Sequence, residues 1–347
     1  MGFAAIEFND AAVAMAREGV PCVQSPGYAL VEGGELLIGE EALRQARLKP
    51  RLVSTRFWER LGDDPVFPAS AVTPSFADLA RAHLSRIWSS AGPDADELIL
   101  VVPASFEPRR LGLLLGIAEQ LALPVRAMVD SALVGCRGPV DEDLIVHVDV
   151  HLHRTVVTGI ELGASARRSF HRSLEEQGLI QLYDAWIRCI ASAFVQTTRF
   201  DPLHRAQTEQ AIYDRLPLWL AAFATQDSMI VEMTAQNGAT HTIRLSRDRM
   251  VECVAGFYVG LTRTIEELCG PRPYSLQLSD GAARLPGLAA SVTAALGQRA
   301  SSLPRGAGAI GALRHSAQWR VGAWNNSLTV SLPREVFAGK WARESIP

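Results

Sequence analysis

The stretch LIVHVDVHLHRTVVT, residues 144–158, alternates between apolar and polar side chains with a period of two. Because successive side chains on a strand point to opposite faces, this pattern predicts a half-buried strand. One face of the strand is aliphatic. The other face carries a carboxylate and three imidazoles, which are His147, Asp149, His151 and His153. What this polar face lies against should therefore decide what the protein does.

Length and composition are those of an ordinary soluble protein. The chain has 347 residues, of which 48% are hydrophobic and 20% charged, and its formal net charge is −3. This length is enough for two domains, or for two lobes around one cleft. Since there is no basic excess, nucleic acid is not expected as a partner.

Cysteine usage and hydropathy predict a cytoplasmic protein. The five cysteines are scattered, and no two have C-x-x-C spacing, which argues against structural disulfides and a zinc ribbon. The N-terminus lacks a basic segment followed by a long apolar one, so no signal peptide is expected. The most apolar runs, 111–125 and 216–224, are too short or too interrupted to span a bilayer of about 30 Å. No membrane insertion is therefore expected.

The order of strand and helix patterns predicts an α/β fold. Strands are expected at 3–8, 11–16, 28–31, 35–38, 97–103, 125–129 and 275–278, and a hairpin at 229–245. Helices are expected at 40–48, 57–62, 76–89, 107–121, 131–136, 246–268, 285–296 and 306–313, and almost throughout 170–224. The tail from Trp319 carries three tryptophans and is expected to be strand and irregular structure.

Six segments, in order along nearly the whole chain, resemble motifs of the DnaK-type heat-shock chaperones of the actin-like ATPase superfamily. They are GELLIGEEALRQARLKP (34–50), FWERLG (57–62), ELILVVPASFEPRRLGLLLGIAEQLALPVRAMVDSAL (97–133), TIRLSRDRMVECVAGF (242–257), SDGAARLPGL (279–288) and GAGAIGAL (306–313). In that order they are similar to the family's G-x-x-x-x-G-x-x-A stretch, its K-R-x-x-G segment, its V-P-A-x-F strand and helix, the hairpin and helix of its second lobe, its adenosine loop and its closing G-A-A helix.

The resemblance implies a two-lobed actin-like ATPase fold of the ribonuclease H-like type. Each lobe would have a mixed sheet and flanking helices, with ATP and magnesium bound between the lobes. Lobe I would comprise residues 1–143, with 20–94 as its outer subdomain. Lobe II would comprise residues 144–347, with about 184–274 as its outer subdomain. The chain ends where the family's substrate-binding domain would begin, so that module is not expected.

The first phosphate-binding loop of this family, D-L-G-T-T, corresponds to residues 7–11, which read Glu7, Phe8, Asn9, Asp10 and Ala11. Backbone amides cradle a phosphate where the chain can approach closely, which glycine permits, and here the glycine position is asparagine. The aspartate directs a negative charge toward a polyphosphate. Repulsion between two such charges about 4 Å apart is on the order of 1–4 kcal/mol. These changes argue against phosphate binding.

The second phosphate-binding loop, D-L-G-G-G-T-F-D, corresponds to residues 149–156. Asp149 is kept, but His151, Leu152 and His153 stand where the family has three glycines, and Arg154 replaces the threonine. The loop is thus expected to lose its phosphate-cradling backbone.

Two further positions differ from the family pattern. Leu43 stands where the family has its catalytic lysine, with Arg44 beside it. The adenosine loop, G-G-S-x-R-x-P, keeps Gly281 and Arg284 but has Asp280 in place of its first glycine. Phosphoryl transfer depends almost entirely on positioned charges and metal, so ordinary ATP hydrolysis is not expected.

These observations predict a catalytically degenerate DnaK-like protein that requires no cofactor and acts as a binding, scaffold or assembly factor for a protein partner. One alternative is a divergent ATPase that binds ATP and magnesium, with Arg154 and Arg44 replacing the lost groups. A second alternative is a metal-binding protein that uses His147, Asp149 and the two histidines that follow. Alternate residues of one strand lie about 6.6 Å apart, so a single strand rarely supplies a complete metal site.

Overall fold

The computed structural model describes residues 2–67, 73–91, 94–137, 142–319 and 326–333. Over these residues the chain is a mixed α/β protein built on two six-stranded sheets, with a three-stranded and a two-stranded sheet in addition. The predicted α/β class is therefore confirmed. In this part of the chain, no helix is both long and apolar enough to cross a membrane.

The strands are β1 (Phe3–Glu7), β2 (Val13–Arg17), β3 (Val20–Ser25), β4 (Ala29–Glu32), β5 (Glu35–Ile38), β6 (Val53–Ser54), β7 (Glu97–Val102), β8 (Val125–Asp130), β9 (Leu144–Val150), β10 (Arg154–Leu162), β11 (Ser165–Glu175), β12 (Ser228–Thr234), β13 (Thr240–Ser246), β14 (Ser275–Leu278), β15 (Ala300–Ser302), β16 (Leu328–Thr329) and β17 (Ser331–Pro333). The helices are α1 (Glu40–Leu43), α2 (Phe76–Ala91), α3 (Pro108–Gln120), α4 (Ser131–Gly135), α5 (Leu179–Thr198), α6 (Ala206–Ala222), α7 (Arg247–Glu252), α8 (Ala255–Cys269), α9 (Asp280–Ala283), α10 (Leu288–Leu296), α11 (Ala307–Arg314) and α12 (Ser316–Trp319).

Five strands of each large sheet share one arrangement. In the first, of order β16-β8-β7-β1-β2-β3, an antiparallel meander β1-β2-β3 is extended by β7 and β8, which run parallel to β1. In the second, of order β15-β14-β9-β10-β11-β17, the meander β9-β10-β11 is extended by β14 and β15, which run parallel to β9. Each sheet therefore has a tight turn directly after the first strand of its meander.

The segment 144–158 is a hairpin rather than the predicted single strand. β9 ends at Val150, three residues form the turn, and β10 begins at Arg154 and pairs antiparallel with β9. The predicted half-buried character is also wrong, because every residue of β9 is buried. Its aliphatic face belongs to the core under α5 and α8. On its other face, Ile145 packs in a cluster with the first sheet, α4 and α11, and Asp149 contacts Asn9 in the turn after β1.

Several element bounds differ from prediction because tertiary contacts override local propensity. The helix predicted at 40–48 ends at Leu43 and continues as tighter turns, in which Gln45 and Ala46 donate to the third residue back. Residues 57–62 form turns instead of a helix, since Phe57 and Trp58 are held in an aromatic cluster with Phe8 and His83.

The second half departs from prediction at two places. Residues 170–175 are strand, because β11 pairs with β10 along its length before α5 begins at Leu179. The helix predicted at 246–268 is divided at Cys253 and Val254 into α7 and α8, although Ser246 caps α7 as expected through a hydrogen bond from Arg249 N. Trp319 ends α12, whereas Trp324 and Trp341 lie outside the described residues.

Candidate functional site

The turns that follow β1 and β9 face each other between the two large sheets. Asn9, in the first turn, donates from Nδ2 to Asp149 Oδ1 at 2.9 Å and to the carbonyl of Val150 at 3.1 Å. Its Oδ1 accepts from Ala11 N at 2.9 Å, which closes a local Asx turn. One asparagine side chain thus shapes its own turn and joins it to the end of β9.

Asp10 makes the second link between the turns. Its Oδ1 accepts a hydrogen bond from the backbone amide of Leu152 at 2.7 Å, and the residue is only 4% exposed. Its carbonyl accepts from Gly27 N at 2.8 Å, and a Cβ on Gly27 would lie 2.8 Å from that oxygen. The close backbone approach that Gly27 permits therefore holds the carboxylate in place.

The backbone of the turn after β9 is engaged by other parts of the chain. Leu179 N and Ile180 N, at the start of α5, donate to the carbonyls of His151 (2.8 Å) and Leu152 (2.9 Å). Gly178 precedes them, and a Cβ there would lie 2.4 Å from Arg154 N. The turn contains no glycine, proline, asparagine or aspartate, so its shape is imposed by α5 and by Asp10.

His151 lies between two carboxylates contributed by different sheets. Its Nδ1 is 3.4 Å from Asp10 Oδ1, and its Nε2 is 3.4 Å from Asp149 Oδ2. Nε2 forms no hydrogen bond of good geometry, so we regard these contacts as ion pairs. Burial alone would lower the pKa of His151, but the carboxylates outweigh it and raise the pKa to about 9. The imidazole is thus a buried cation at neutral pH.

The pKa values of the two carboxylates are lowered, opposite to that of His151. Burial opposes ionisation of Asp149, but the charge of His151 outweighs it and lowers the pKa of Asp149 to about 2. For Asp10, burial is likewise outweighed by His151, and its pKa is lowered. The Asp10–His151–Asp149 cluster therefore carries two negative charges and one positive charge at neutral pH.

Glu7, at the end of β1, adds a fourth titratable group beside this cluster. Burial and the charge of Asp149 raise its pKa to about 7. Its Oε2 accepts from Ala309 N at 3.1 Å in α11. A Cβ on Gly308 would lie 2.6 Å from Glu7 Oε1, so α11 can approach this closely only with glycine there. Gly308 thus lets the backbone of α11 bind the Glu7 carboxyl.

His153 and Arg154 point away from the cleft. His153 Nε2 lies 2.9 Å from Thr55 Oγ1, and burial lowers the pKa of its imidazole. The buried Arg154 guanidinium lies 3.7 Å from Glu175 Oε1 through its Nη1. Neither residue lines the cavity that remains between the sheets.

That cavity has a volume of about 250 Å³. Of the predicted site residues it brings together six, namely Glu7, Asn9, Asp149, Asp280, Gly281 and Arg284. The last three follow β14, where Ser279 caps α9 through a hydrogen bond from Ala282 N at 3.3 Å. Arg284 Nε lies 2.9 Å from Asp280 Oδ1, so the residue that replaces the first glycine of the adenosine-loop pattern pairs with the arginine of that pattern.

Three residues of the site or its surroundings are not predicted from the sequence. Ser131 lines the cavity, Thr55 contacts His153, and Gly308 allows the close approach of Glu7. His147, which the sequence predicts as a ligand only in the metal alternative, also lines the cavity. The small-residue run at 306–313 was the one available signal for Gly308, since it indicates close packing. Nothing in the local sequence points to Thr55.

A second group of contacts joins the outer parts of the two halves. The hydroxyls of Tyr28 and Tyr213 share a buried hydrogen bond. Arg47 pairs with Asp184, and its guanidinium carbon lies 4.5 Å from the centre of the Tyr213 ring. Gln210 accepts from Arg47 N at 2.7 Å. These contacts form a second connection between the first and second halves of the chain, besides the one made by the two turns.

The metal-site alternative has no geometric support. In the part of the chain that the structure describes, no three His, Cys, Asp or Glu side chains converge as metal ligands. His151 is paired with Asp10 and Asp149, and His153 points to Thr55. Both histidines lie in the turn after β9, which places their side chains against different neighbours.

Comparisons with known proteins do not identify a family. No protein-family model matches the chain, and no curated protein is significantly similar to it in sequence. Function must therefore be inferred from the site itself.

Proposed function

We propose that this chain is a catalytically inactive, DnaK-like protein with a two-lobed actin-like fold, which acts as a binding, scaffold or assembly factor without hydrolysing ATP. Two observations support the fold. Five strands of each large sheet have the same order, and the turn after the first strand of each meander faces its counterpart across a cleft. Six motifs that resemble the family occur in the expected order.

The single observation that carries the functional proposal is the hydrogen bond from Leu152 N to the carboxylate of Asp10. Under the resemblance, this amide belongs to the loop that cradles phosphate. Here it already binds an anion, which the protein supplies itself. A phosphate at this place would have to displace a buried carboxylate from a hydrogen bond to a charged group, which contributes roughly 1.5–3 kcal/mol.

The charges around the cleft add to this argument. Asp149 is the one acidic residue that the resemblance retains, and its two oxygens are engaged by Asn9 and His151. Leu43 supplies no charge where a lysine would be expected. Phosphoryl transfer needs cations and a metal at the phosphates, whereas this cleft offers a net negative cluster. Such a cleft is poorly suited to phosphoryl transfer.

Isothermal titration of the full chain with ATP and magnesium tests the proposal. We expect no saturable heat at nucleotide concentrations up to the millimolar range, and no phosphate release above the background of buffer. Micromolar affinity accompanied by turnover would contradict the proposal. If no ATP binding is found, affinity capture of the full chain from its own cells identifies the partner.

The divergent-ATPase alternative rests on the open cavity, which is lined from both sheets and contains Gly281 and Arg284. It makes a different prediction for Asp149→Ala. If the alternative holds, this substitution abolishes a measurable turnover. If the chain is inactive, wild type and variant give the same background rate of phosphate release.

A further inference from the structure

Two cysteines that do not line the cleft cavity come together in the second half of the chain. Cys189 lies in α5, and Cys253 directly follows α7. Their sulfur atoms contact the carbonyls of two adjacent residues, Cys189 Sγ that of Arg249 at 4.0 Å and Cys253 Sγ that of Met250 at 3.2 Å. Both are free thiols of intermediate burial. The pair is separated by the whole of α6 and the β12–β13 hairpin, and only the fold brings it together.

The backbone around the pair is fixed by hydrogen bonds between α5 and α7. Trp186, one turn before Cys189, donates from Nε1 to the carbonyl of Met250 at 2.7 Å. The thiol of Cys253 donates to the same carbonyl at 3.2 Å. The carbonyl of Arg249 accepts from Cys253 N at 3.2 Å and lies 4.0 Å from Cys189 Sγ. The two cysteines thus converge on one short stretch of backbone.

The electrostatics of the pair favour one thiolate beside one thiol. The neighbouring Cys253 side chain, together with the backbone and charge of Arg249, outweighs burial and lowers the pKa of Cys189 to about 6. The neighbouring Cys189 side chain, together with burial, raises the pKa of the Cys253 thiol. Cys189 is therefore the nucleophile and Cys253 the proton-bearing neighbour, a combination typical of reactive thiol pairs.

We propose that Cys189 and Cys253 form a redox-modification site at which a hydroperoxide converts the dithiol reversibly into a disulfide between α5 and the end of α7. In the first step the Cys189 thiolate attacks the peroxide, forming a sulfenic acid and releasing an alcohol or water. In the second step the Cys253 sulfur displaces water from the sulfenic acid and the S–S bond forms. The peroxide takes up the two electrons, and an external dithiol returns them.

The other cysteines provide controls within the same chain. Cys136 and Cys269 are buried, and burial raises the pKa of Cys269 to about 11. Cys22 has the same intermediate burial as the pair, but burial and the charge of Glu7 raise the pKa of its thiol. Cys22 is thus a matched control that is accessible but not activated. This site lies outside the cleft and does not depend on the function proposed for it.

Mass spectrometry of the full chain, treated with one equivalent of hydrogen peroxide, tests the inference. We expect an intact mass lower by about 2 Da, one peptide pair linked through Cys189 and Cys253, and full reversal by dithiothreitol. At pH 7 iodoacetamide should alkylate Cys189 at least about threefold faster than Cys22, since the larger thiolate fraction outweighs the lower intrinsic nucleophilicity.

The Cys253→Ser variant separates the two steps. It keeps a hydroxyl of similar size, and peroxide should leave its Cys189 as a sulfenic acid that a dimedone probe captures. In the wild type that adduct should be at least tenfold less abundant, because the disulfide removes the sulfenic acid. Equal dimedone labelling of wild type and variant, or oxidation of Cys22 in preference to Cys189, would overturn the inference.

Discussion

The His151→Gln substitution gives the sharpest test of the charge cluster that joins the two sheets. The wild-type imidazole is 2% exposed and its pKa is raised from 6.5 to about 9 by the carboxylates on either side. A difference of this size corresponds to roughly 3 kcal/mol of folding free energy. Glutamine keeps a polar side chain of similar length but does not titrate.

The raised pKa of folded His151 fixes how its contribution to stability changes with pH. Because the folded pKa is raised, the stabilisation is fully present below pH 6.5 and is lost as the pH rises through 9. The advantage of wild type over His151→Gln in free energy of unfolding should therefore shrink by roughly 3 kcal/mol between pH 6.5 and pH 9. Urea unfolding of both chains at several pH values in this window measures it.

His83→Gln is the matched control for this experiment. His83 is also fully buried, accepts from Trp58 Nε1 at 3.0 Å and has a pKa lowered by burial to about 3. Its imidazole is therefore neutral in the folded chain throughout the window. Its loss should destabilise the protein by nearly the same amount at pH 6.5 and pH 9. A pH-independent difference between wild type and His151→Gln would refute the buried-cation assignment.

Two further substitutions test contacts that join the halves of the molecule. Tyr213→Phe leaves the buried Tyr28 hydroxyl without its partner and should lower the free energy of unfolding in urea by roughly 1–3 kcal/mol; no change would mean that the outer bridge contributes nothing to stability. Gly308→Ala places a Cβ 2.6 Å from Glu7 Oε1 and should lower the free energy of unfolding by roughly 1–3 kcal/mol. Gly116→Ala in α3 is the control, because no atom lies within 4 Å of its added Cβ, and it should raise the free energy of unfolding by up to about 1 kcal/mol. Equal effects of the two alanines in thermal unfolding would contradict the close approach of α11.

The parts of the fold that follow from local pattern were predictable from the sequence. Apolar runs identified β7 and β8, a 3.6-residue period identified α2, and Asn237-Gly238 identified the β12–β13 hairpin. In each case the signal and the structure that it specifies lie within a few residues of each other.

The hairpin turn at 151–153 was not predictable, because it contains none of the usual turn residues. It is shaped by Asp10, more than a hundred residues earlier in the chain, and by the first amides of α5. The partners of Asp149 and His151 could not be predicted for the same reason. The alternation showed that His151 and Asp149 share a face, but only the fold brings Asn9 and Asp10 against them.

Thermal unfolding in the presence of ATP and magnesium tests most directly the proposal that the protein's own Asp10 carboxylate occupies the place of a phosphate. A ligand with a dissociation constant of 10 µM, present at 5 mM, would stabilise the folded chain by about 4 kcal/mol and raise the unfolding midpoint by several degrees. We predict the same midpoint with magnesium ATP as with magnesium alone. A saturable rise in the midpoint with ATP would contradict the account.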